Sequence, residues 1–429
     1  MSNGFSDQLR PWTGAIGKPA AILLLVSVGL LPALPSSSVI IAYGAFLLMA
    51  VQNRFRLQGQ SGLWRTPFPW IAALFLLHVL GMAWTANIGF GLFDLQIKLP
   101  LFMFPLLAVL TPRSSWRGRD VLLFAFSITS GMMVIGCTVA AIVRISMGSA
   151  LSPMQEIFSS YWSLALHPSY FALYLSLAIA AWCLLPIHRW LPRVWSVTLL
   201  AVLCLGVVLS ASKIGWMLLA PLMIALLVLQ WRDAVMRNTL LGMSGFSVLG
   251  VAVLITASPY ARDRVGEMFG AATGTTHDPA SVTSSEVRWL TWGTAWELFR
   301  RDPITGTGTG DIKDELVRAY EMHGYTGAAG KRLNAHNQFL QTAACLGAVG
   351  LLALIATILV PLFTQRPIDP LITIFLLLNA LNWLVESMLE VQAGAVFFPL
   401  FAVLLGWKDE AHELRPPSPG ISSAHPHIS

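Results

Sequence analysis

Repeated apolar segments of membrane-spanning length constrain the fold of this 429-residue chain more than any other feature. Lipid offers no hydrogen-bonding partners, so each such segment must pair its own backbone groups, as an α-helix does. A helix needs about 20 mostly apolar residues to cross a bilayer, and shorter segments occur where helices are tilted or broken. Segments of this kind lie at roughly 19–34, 38–52, 69–86, 96–111, 120–145, 167–185, 194–211, 214–231, 238–257, 336–363, 370–386 and 393–407. The sequence therefore predicts an all-α polytopic membrane protein with about twelve transmembrane helices.

Composition also indicates a membrane protein. Charged residues make up 11% of the chain and hydrophobic residues 55%, whereas a soluble domain carries about 25% charged residues. The cysteines lie inside apolar segments and lack disulfide or zinc-type spacing, which predicts no metal site: Cys137, Cys183, Cys204 and Cys345. The net charge of +6 is spread over short loops. That pattern favours contact with anionic membrane lipids over nucleic-acid binding.

Basic residues in alternate loops predict the orientation in the membrane. They are Arg10, Lys18, Arg54, Arg56, Arg65, Arg113, Arg117, Arg119, Arg189, Arg193, Arg232, Arg237, Arg366 and Lys408. The positive-inside rule makes their side cytoplasmic. Five parts follow: a cytoplasmic N-terminal segment (1–18), transmembrane helices one to nine (19–257), an external loop (258–335), transmembrane helices ten to twelve (336–407) and a disordered cytoplasmic tail (408–429).

The external loop carries helix signals of its own. Residues Thr283–Glu286 form a capping-box pattern, which predicts a helix that runs to Arg301 and stops at Asp302-Pro303. A second amphipathic helix is predicted from about Asp311 to Met322. The glycine-rich run Gly306–Gly310 lacks the Gly-Lys-Ser/Thr of a phosphate loop, so we interpret it as a turn between the two helices.

His336 lies where this external loop enters the tenth apolar segment, at the predicted first turn of a helix. The positive end of a helix dipole disfavours the imidazolium, so a neutral ring able to accept a proton is expected there. A helix-capping or interfacial histidine is the alternative. Behind it, Ala343 and Gly347 form a small-xxx-small pattern, which predicts close approach of another helix.

Cations collect on the predicted outer face, opposite to the usual bias: Arg262, Arg264, Arg288 and Lys213. Such a cluster fits an anionic ligand such as a pyrophosphate. The alternatives are solvated loop charges and, for Arg288, an arginine bound to lipid phosphate. Glu386 and Glu390 flank a short external turn and are candidate partners of these cations. His167, which begins the sixth segment, is a weaker second candidate for the site; the alternative is an interfacial helix-start residue.

These motifs resemble the superfamily of bacterial O-antigen ligases, O-antigen polymerases and O-linked oligosaccharyltransferases. His336-Asn337, nine residues, Gly347, two residues and Gly350 are similar to the ligase signature. The family's outer-loop pattern is matched by Arg288, Trp292, Trp296, Pro303, Gly306 and Gly308. The specific motifs lie only between about residues 284 and 350. Over the rest of the chain the resemblance is one of architecture, in the number of predicted transmembrane helices. Lys213 departs from the family, whose members often have arginine there.

The resemblance implies a glycosyltransferase of the bacterial inner membrane, with a helical periplasmic loop between the ninth and tenth transmembrane helices. It implies transfer of O-antigen from undecaprenyl pyrophosphate to lipid A–core, with inversion and without metal or cofactor. His336 would then take the proton from the acceptor hydroxyl, with Asn337 and His167 in support. Arg288, Arg264, Lys213 and Arg262 would stabilise the pyrophosphate.

Rival functions remain open at this point. An O-antigen polymerase uses the same donor, but polymerases tend to spread arginine motifs over two large external loops, and one such loop is predicted here. A protein O-oligosaccharyltransferase usually carries a further soluble C-terminal portion, whereas the predicted tail is short. From another class, a flippase or transporter for lipid-linked oligosaccharide would need a charged central cavity, and the apolar span centres argue against one.

Overall fold

The computed structural model describes residues 3–57, 63–111, 118–158, 161–259, 261–263, 266, 280, 286–364 and 368–406. Within these ranges every extended regular element is a helix, and no strand forms. The predicted all-α class is therefore confirmed. The capping-box residues 283–285, Arg264 and the predicted tail 408–429 lie outside the described residues.

The helices named below follow chain order. They are α1 (Asn3–Ile16), α2 (Lys18–Leu30), α3 (Pro35–Gln52), α4 (Phe68–Gly81), α5 (Ile88–Lys98), α6 (Pro100–Leu110), α7 (Arg119–Ser146), α8 (Pro153–Ile157), α9 (Pro168–Leu184), α10 (Arg193–Leu209), α11 (Lys213–Leu229), α12 (Ala234–Ala257), α13 (Glu286–Arg301), α14 (Ile312–Met322), α15 (Thr326–Gly330), α16 (Gln338–Thr364), α17 (Pro370–Trp383) and α18 (Gln392–Gly406). Short 3-10 helices lie at Leu63–Arg65, Met82–Trp84, Pro186–Trp190 and Met388–Glu390. The two helices predicted in the loop 258–335 are confirmed as α13 and α14.

Several helices are long and apolar enough to cross a membrane. Among the described residues α3, α7, α12 and α16 meet this condition singly, which gives four candidate spans. The bent pairs α1–α2 and α5–α6 raise the number to as many as six. Shorter apolar helices are α4 with its 3-10 extension, α9, α10, α11, α17 and α18. The count of about twelve spans stays a prediction.

Two helices form the centre of the bundle. Almost every residue of α9 and α18 is buried, and an all-round apolar helix is expected to be enclosed by others. Tyr174 of α9 stacks on Phe397 of α18 with ring centroids 4.2 Å apart, and its hydroxyl donates to the Ala393 carbonyl at 2.8 Å. The short connection 384–391, which joins α17 to α18, contacts the start of α9 through a hydrogen bond from Ser169 to Glu386.

A kink at Gly347 divides α16. Gly347 has φ 65° and ψ −163° inside an otherwise helical run, a conformation that suits glycine because it has no Cβ. The turn that follows α13 crosses this kink: Thr307 donates to the Ala344 carbonyl at 2.9 Å, and Ala348 donates to the Pro303 carbonyl at 2.8 Å. These bonds satisfy backbone groups that the break in the helix leaves free.

The Ala343-xxx-Gly347 pattern predicted that another helix lies close to this face. At Gly347 that prediction is wrong. Backbone of Ile304, and not another helix, comes so close that a Cβ added to Gly347 would lie 2.1 Å from its carbonyl oxygen. The nine residues between Asn337 and Gly347 in the signature therefore form the part of α16 that precedes the kink. That part carries the predicted site at its beginning.

Substitution Gly347→Ala should destabilise the protein by more than about 1 kcal/mol, because the left-handed φ and the Ile304 carbonyl both oppose a Cβ. The matched control is Gly293→Ala on α13, where an added Cβ would meet no atom within 4 Å. There alanine should leave stability unchanged or raise it by about 0.5–1 kcal/mol. Thermal unfolding of both purified variants tests this, and equal melting temperatures would contradict the account of the kink.

Candidate functional site

His336 lies two residues before α16, in a left-handed backbone conformation with φ 47°. The expectation that it occupies the first helical turn is therefore wrong. Asn337 causes the difference, because its side-chain Oδ1 accepts from the Leu340 N–H at 3.0 Å and caps the helix. The signature's Asn/Ser/Gln position is therefore a helix-cap position in this chain, and the histidine before it is set outside the helix.

The strained backbone at His336 is held from both sides. Its N–H donates to Asn334 Oδ1 at 3.0 Å, and its carbonyl accepts from Trp292 Nε1 at 3.2 Å. The neighbouring Ala335 carbonyl accepts from Thr291 Oγ1 at 3.2 Å. Thr291 and Trp292 belong to α13, so this helix fixes the loop that carries the histidine. Strain that is over-determined in this way is typical of functional sites.

Asn337 also fastens the connection between α17 and α18. Its backbone N–H donates to Ser387 Oγ at 3.0 Å, and its side-chain Nδ2 donates to the Leu384 carbonyl at 2.9 Å. Both acceptors flank Glu386. The helix cap and the position of Glu386 are therefore fixed by the same asparagine.

Glu386 is a buried carboxylate that joins the two principal candidates. Its Oε1 accepts from Arg288 Nη2 at 2.8 Å and from Ser169 Oγ at 3.1 Å. Its Oε2 lies 3.7 Å from Nδ1 of His336. Arg288 also donates through Nε to the Val385 carbonyl at 3.1 Å. The exposed side-chain fractions are 4% for Glu386, 17% for Arg288 and 28% for His336, so the carboxylate lies beneath two partly open groups.

The electrostatics of this group keep Glu386 ionised. Burial raises the pKa of its carboxyl, but His336, Arg288 and His167 together outweigh burial and lower the pKa from 4.5 to about 2. Glu386 is therefore a negative charge beneath Arg288 and His336.

Lys213 begins α11 and is 8% exposed. The turn before it is tight, with Ala211 at φ 47°. Two residues later Gly215 packs so closely on α9 that an added Cβ would lie 2.6 Å from the Ala172 Cβ. Ala172 is one turn after Ser169, which binds Glu386. The structure therefore brings Lys213 to the end of the bundle where Glu386 and Arg288 lie.

The remaining predicted residues differ in placement. Arg262 is exposed and donates through Nη2 to the Thr256 carbonyl at 3.0 Å, at the end of α12. No bond from Arg262 to the His336 group is seen among the described residues. His167 caps α9, where its Nδ1 accepts from the Ser169 N–H at 3.4 Å. His167 therefore begins the helix, and its charge also contributes to the field at Glu386; its supporting role in the site stays a prediction.

Part of the chain matches a known family. Residues 197–355 match the family model described as O-antigen ligase. This stretch, less than half of the chain, is similar to O-antigen ligases. No curated protein gives a significant match. The family match and the apolar helices together indicate a multi-pass membrane protein with ligase- or polymerase-type glycan transfer, acting on polysaccharide and lipid substrates.

The O-antigen ligase match includes Lys213, Arg288 and His336 but ends before Glu386. Sequence reasoning named Glu386 only as a possible partner of cations, because nothing local shows which cation it meets. Ser169 was missed entirely. It follows His167-Pro168 at a helix start, where a serine reads as a capping residue.

A buried ionic cluster was also missed. Lys98 Nζ lies 2.5 Å from Asp94 Oδ1 and 2.8 Å from Glu390 Oε2, and Asp94 Oδ2 lies 3.9 Å from His78 Nδ1. Lys98 is 1% exposed. The spacing of Asp94 and Lys98 is the i,i+4 arrangement of helical ion pairs, so the sequence did contain a signal. Within the described ranges no group of three His, Cys, Asp or Glu side chains is arranged to hold a metal ion.

Substitution Glu386→Gln should lower the free energy of unfolding by about 3 kcal/mol, because it leaves Arg288 without its carboxylate in a mostly buried site. The matched control is Glu297→Gln, which removes a 57% exposed carboxylate from its contact with His323. That change should cost less than about 1 kcal/mol. Thermal unfolding in nanodiscs measures both, and equal stability of the two variants would contradict the role given to Glu386.

The low pKa of Glu386 fixes the sign of its pH effect. A carboxyl whose pKa falls from 4.5 to about 2 on folding stabilises the protein fully above its ordinary pKa and loses this contribution as the pH falls toward 2. The stability gap between wild type and Glu386→Gln should therefore not shrink between about pH 8 and about pH 5. Melting temperatures across this window test the point; a gap that closes would show that the carboxyl takes up a proton there.

Proposed function

We propose that this protein is an O-antigen ligase, which transfers O-antigen glycan from undecaprenyl pyrophosphate to a sugar hydroxyl of lipid A–core. One observation carries the proposal: a proton acceptor, His336, and a cation, Arg288, contact the same buried carboxylate of Glu386. Glycan transfer from a pyrophosphate needs these two functions side by side. The family match over residues 197–355 supports the reaction class.

His336 acts as the general base. Its Nδ1 faces the Glu386 carboxylate, which favours a proton on Nδ1 and leaves the lone pair on Nε2. Nε2 then takes the proton from the acceptor hydroxyl, which is a poor nucleophile without a base. Glu386 is a positioning residue in this scheme, because it orients the ring and does not touch substrate.

The bonds change in one displacement. The acceptor oxygen forms a bond to the anomeric carbon as the bond from that carbon to the pyrophosphate oxygen breaks. The electron pair of the broken bond stays on the pyrophosphate, and the hydroxyl proton moves to His336. Attack from the face opposite to the leaving group inverts the anomeric centre.

Arg288 stabilises the negative charge that develops on the pyrophosphate. Its described hydrogen bonds use Nε and Nη2, and Nη1 makes none within the described ranges. A guanidinium held by two bonds is already oriented when the phosphate arrives, which favours the transition state. Lys213 is proposed as a second cation at the same end of the bundle. For Arg262 and Arg264 the pyrophosphate role stays a sequence prediction.

About twelve helices of the ligase would span the bacterial inner membrane, with the loop 258–335 and the site facing the periplasm. The single apolar helices, the bent pairs and the shorter apolar helices support that number of spans. The basic loops on the opposite side support the orientation. Both substrates are lipid-anchored, so a site at the membrane face is where they meet.

Substitution His336→Ala should reduce ligation by at least about 10²-fold, because the acceptor hydroxyl loses its base. The matched control is His323→Ala, a partly exposed histidine at the end of α14 with a carboxylate partner; it should keep full activity. The assay joins lipid-linked O-antigen to lipid A–core with purified protein. Full ligation by His336→Ala would overturn the base assignment.

Substitution Arg288→Ala should lower donor use by about 10²–10³-fold, as the loss of a transition-state donor does. Arg288→Lys should recover only part of this, because an ammonium cannot bind Glu386 and phosphate with the same planar fork. Kinetics with varied donor and fixed acceptor measure the effect. Equal activity of all three proteins would show that the pyrophosphate is bound elsewhere.

The same purified system separates ligase from polymerase. We expect O-antigen to be joined to lipid A–core in the presence of a chelator, and no elongation of lipid-linked O-antigen when lipid A–core is left out. Elongation without lipid A–core would favour the polymerase. Loss of ligation in chelator, restored by added divalent cation, would contradict metal independence.

A further inference from the structure

A cavity of about 200 Å³, lined by both polar and apolar side chains, lies beside the loop that carries His336. Its wall includes the aromatic rings of Phe90 and Phe93 on α5 and the amide side chains of Asn334 and Gln341. Two carboxylates, Asp94 and Glu390, complete this part of the lining. The cavity is distinct from the Arg288–Glu386 contact, whose residues do not line it.

We propose that this cavity binds the acceptor saccharide, so that a sugar of lipid A–core is held there with a hydroxyl toward His336. The proposal rests on the ligase function proposed above. It adds a binding site and a ligand class that the base and the pyrophosphate cations do not provide.

The lining suits a neutral, hydroxyl-rich ligand. Amide side chains both donate and accept hydrogen bonds, and carboxylates accept them, which together match the hydroxyls of a sugar. Aromatic faces offer apolar surface to the C–H face of the ring. Asp94 is 3% exposed, and its Oδ2 has no hydrogen-bond partner among the described residues, although His78 Nδ1 lies 3.9 Å away. A buried acceptor left open in this way is expected to find a donor.

The charges argue against other ligands. The Lys98 ammonium already lies between the Asp94 and Glu390 carboxylates, so a metal cation would compete with a built-in ammonium. A pyrophosphate would meet the same two carboxylates and be repelled. The basic lining residues are engaged as well: Arg332 pairs with Asp314 at 2.7 Å, and the Lys313 ammonium lies 5.4 Å from the Phe90 ring centroid.

The cavity wall is joined to the catalytic loop by hydrogen bonds. Asn334, which lines the cavity, accepts from the His336 N–H at 3.0 Å. Gln341, which also lines it, accepts from the Ala335 N–H at 2.9 Å. A sugar in the cavity would therefore contact residues that hold the base. The pyrophosphate cations belong to other elements, α11 and α13, so the acceptor sugar and the pyrophosphate would be held by different parts of the chain.

Direct binding tests the proposal without relying on turnover. The probe is the soluble core oligosaccharide released from lipid A, titrated into His336→Ala protein in nanodiscs. Adding Phe93→Ala should weaken its affinity about tenfold, and Phe93→Tyr, which keeps the ring, should restore it. The matched control is Leu92→Ala: Leu92 is 60% exposed and Phe93 is 56% exposed on the same helix, but Leu92 does not line the cavity.

A second binding measurement uses the glycan donor. Binding of undecaprenyl-pyrophosphate-linked O-antigen should be the same in all of these proteins. A donor affinity that falls with Phe93→Ala would overturn the acceptor assignment, as would equal or undetectable binding of the core oligosaccharide throughout. If binding depends on Phe93 but wild type transfers no glycan, the saccharide site stands and the ligase function fails. If wild type transfers glycan but binding ignores Phe93, only the cavity assignment fails.

Discussion

The buried carboxylate of Glu386 determines how the candidate site is arranged, because three separate parts of the chain meet on it. Arg288 comes from α13, Ser169 from the start of α9, and His336 from the loop before α16. An ionised carboxylate is costly to bury unless partners compensate it. Each of these segments must therefore keep its position for the others to remain stable. The side chains of Arg288 and His336 are held in place as a result.

The same interaction limits what Arg288 can do. Its charge is partly balanced by Glu386, so it is a weaker attractant for distant anions than an unpaired arginine. In exchange, the guanidinium is oriented before a phosphate arrives, and little side-chain entropy is lost on binding. Under the proposed function, long-range attraction of the donor would fall to less constrained cations, and Arg288 would stabilise charge at one defined position.

Much of the architecture was predictable because it is local. Apolar length gave the all-α class, and helix signals located α13 and α14 within a residue or two. The signature from His336 to Gly350 located the loop and the helix behind it. The contacts of Glu386 were not predictable, since Ser169 is 217 residues away and Arg288 is 98 residues away in sequence. The ion pair between Asp94 and Lys98 could be predicted from their i,i+4 spacing. The contact of Lys98 with Glu390 could not, because Glu390 is 292 residues from Lys98 in sequence.

The Gly347 kink explains how two catalytic candidates, Arg288 on α13 and His336 in the loop before α16, keep a fixed relation. The turn after α13 is bonded across the kink through Thr307 and Pro303, and α13 is bonded to the His336 loop through Thr291 and Trp292. The helix that carries Arg288 is thus attached to α16 at the kink and to the loop before it. Two attachments separated along one helix prevent both sliding and rotation. The left-handed backbone at His336 can persist because the loop cannot relax without breaking one of them.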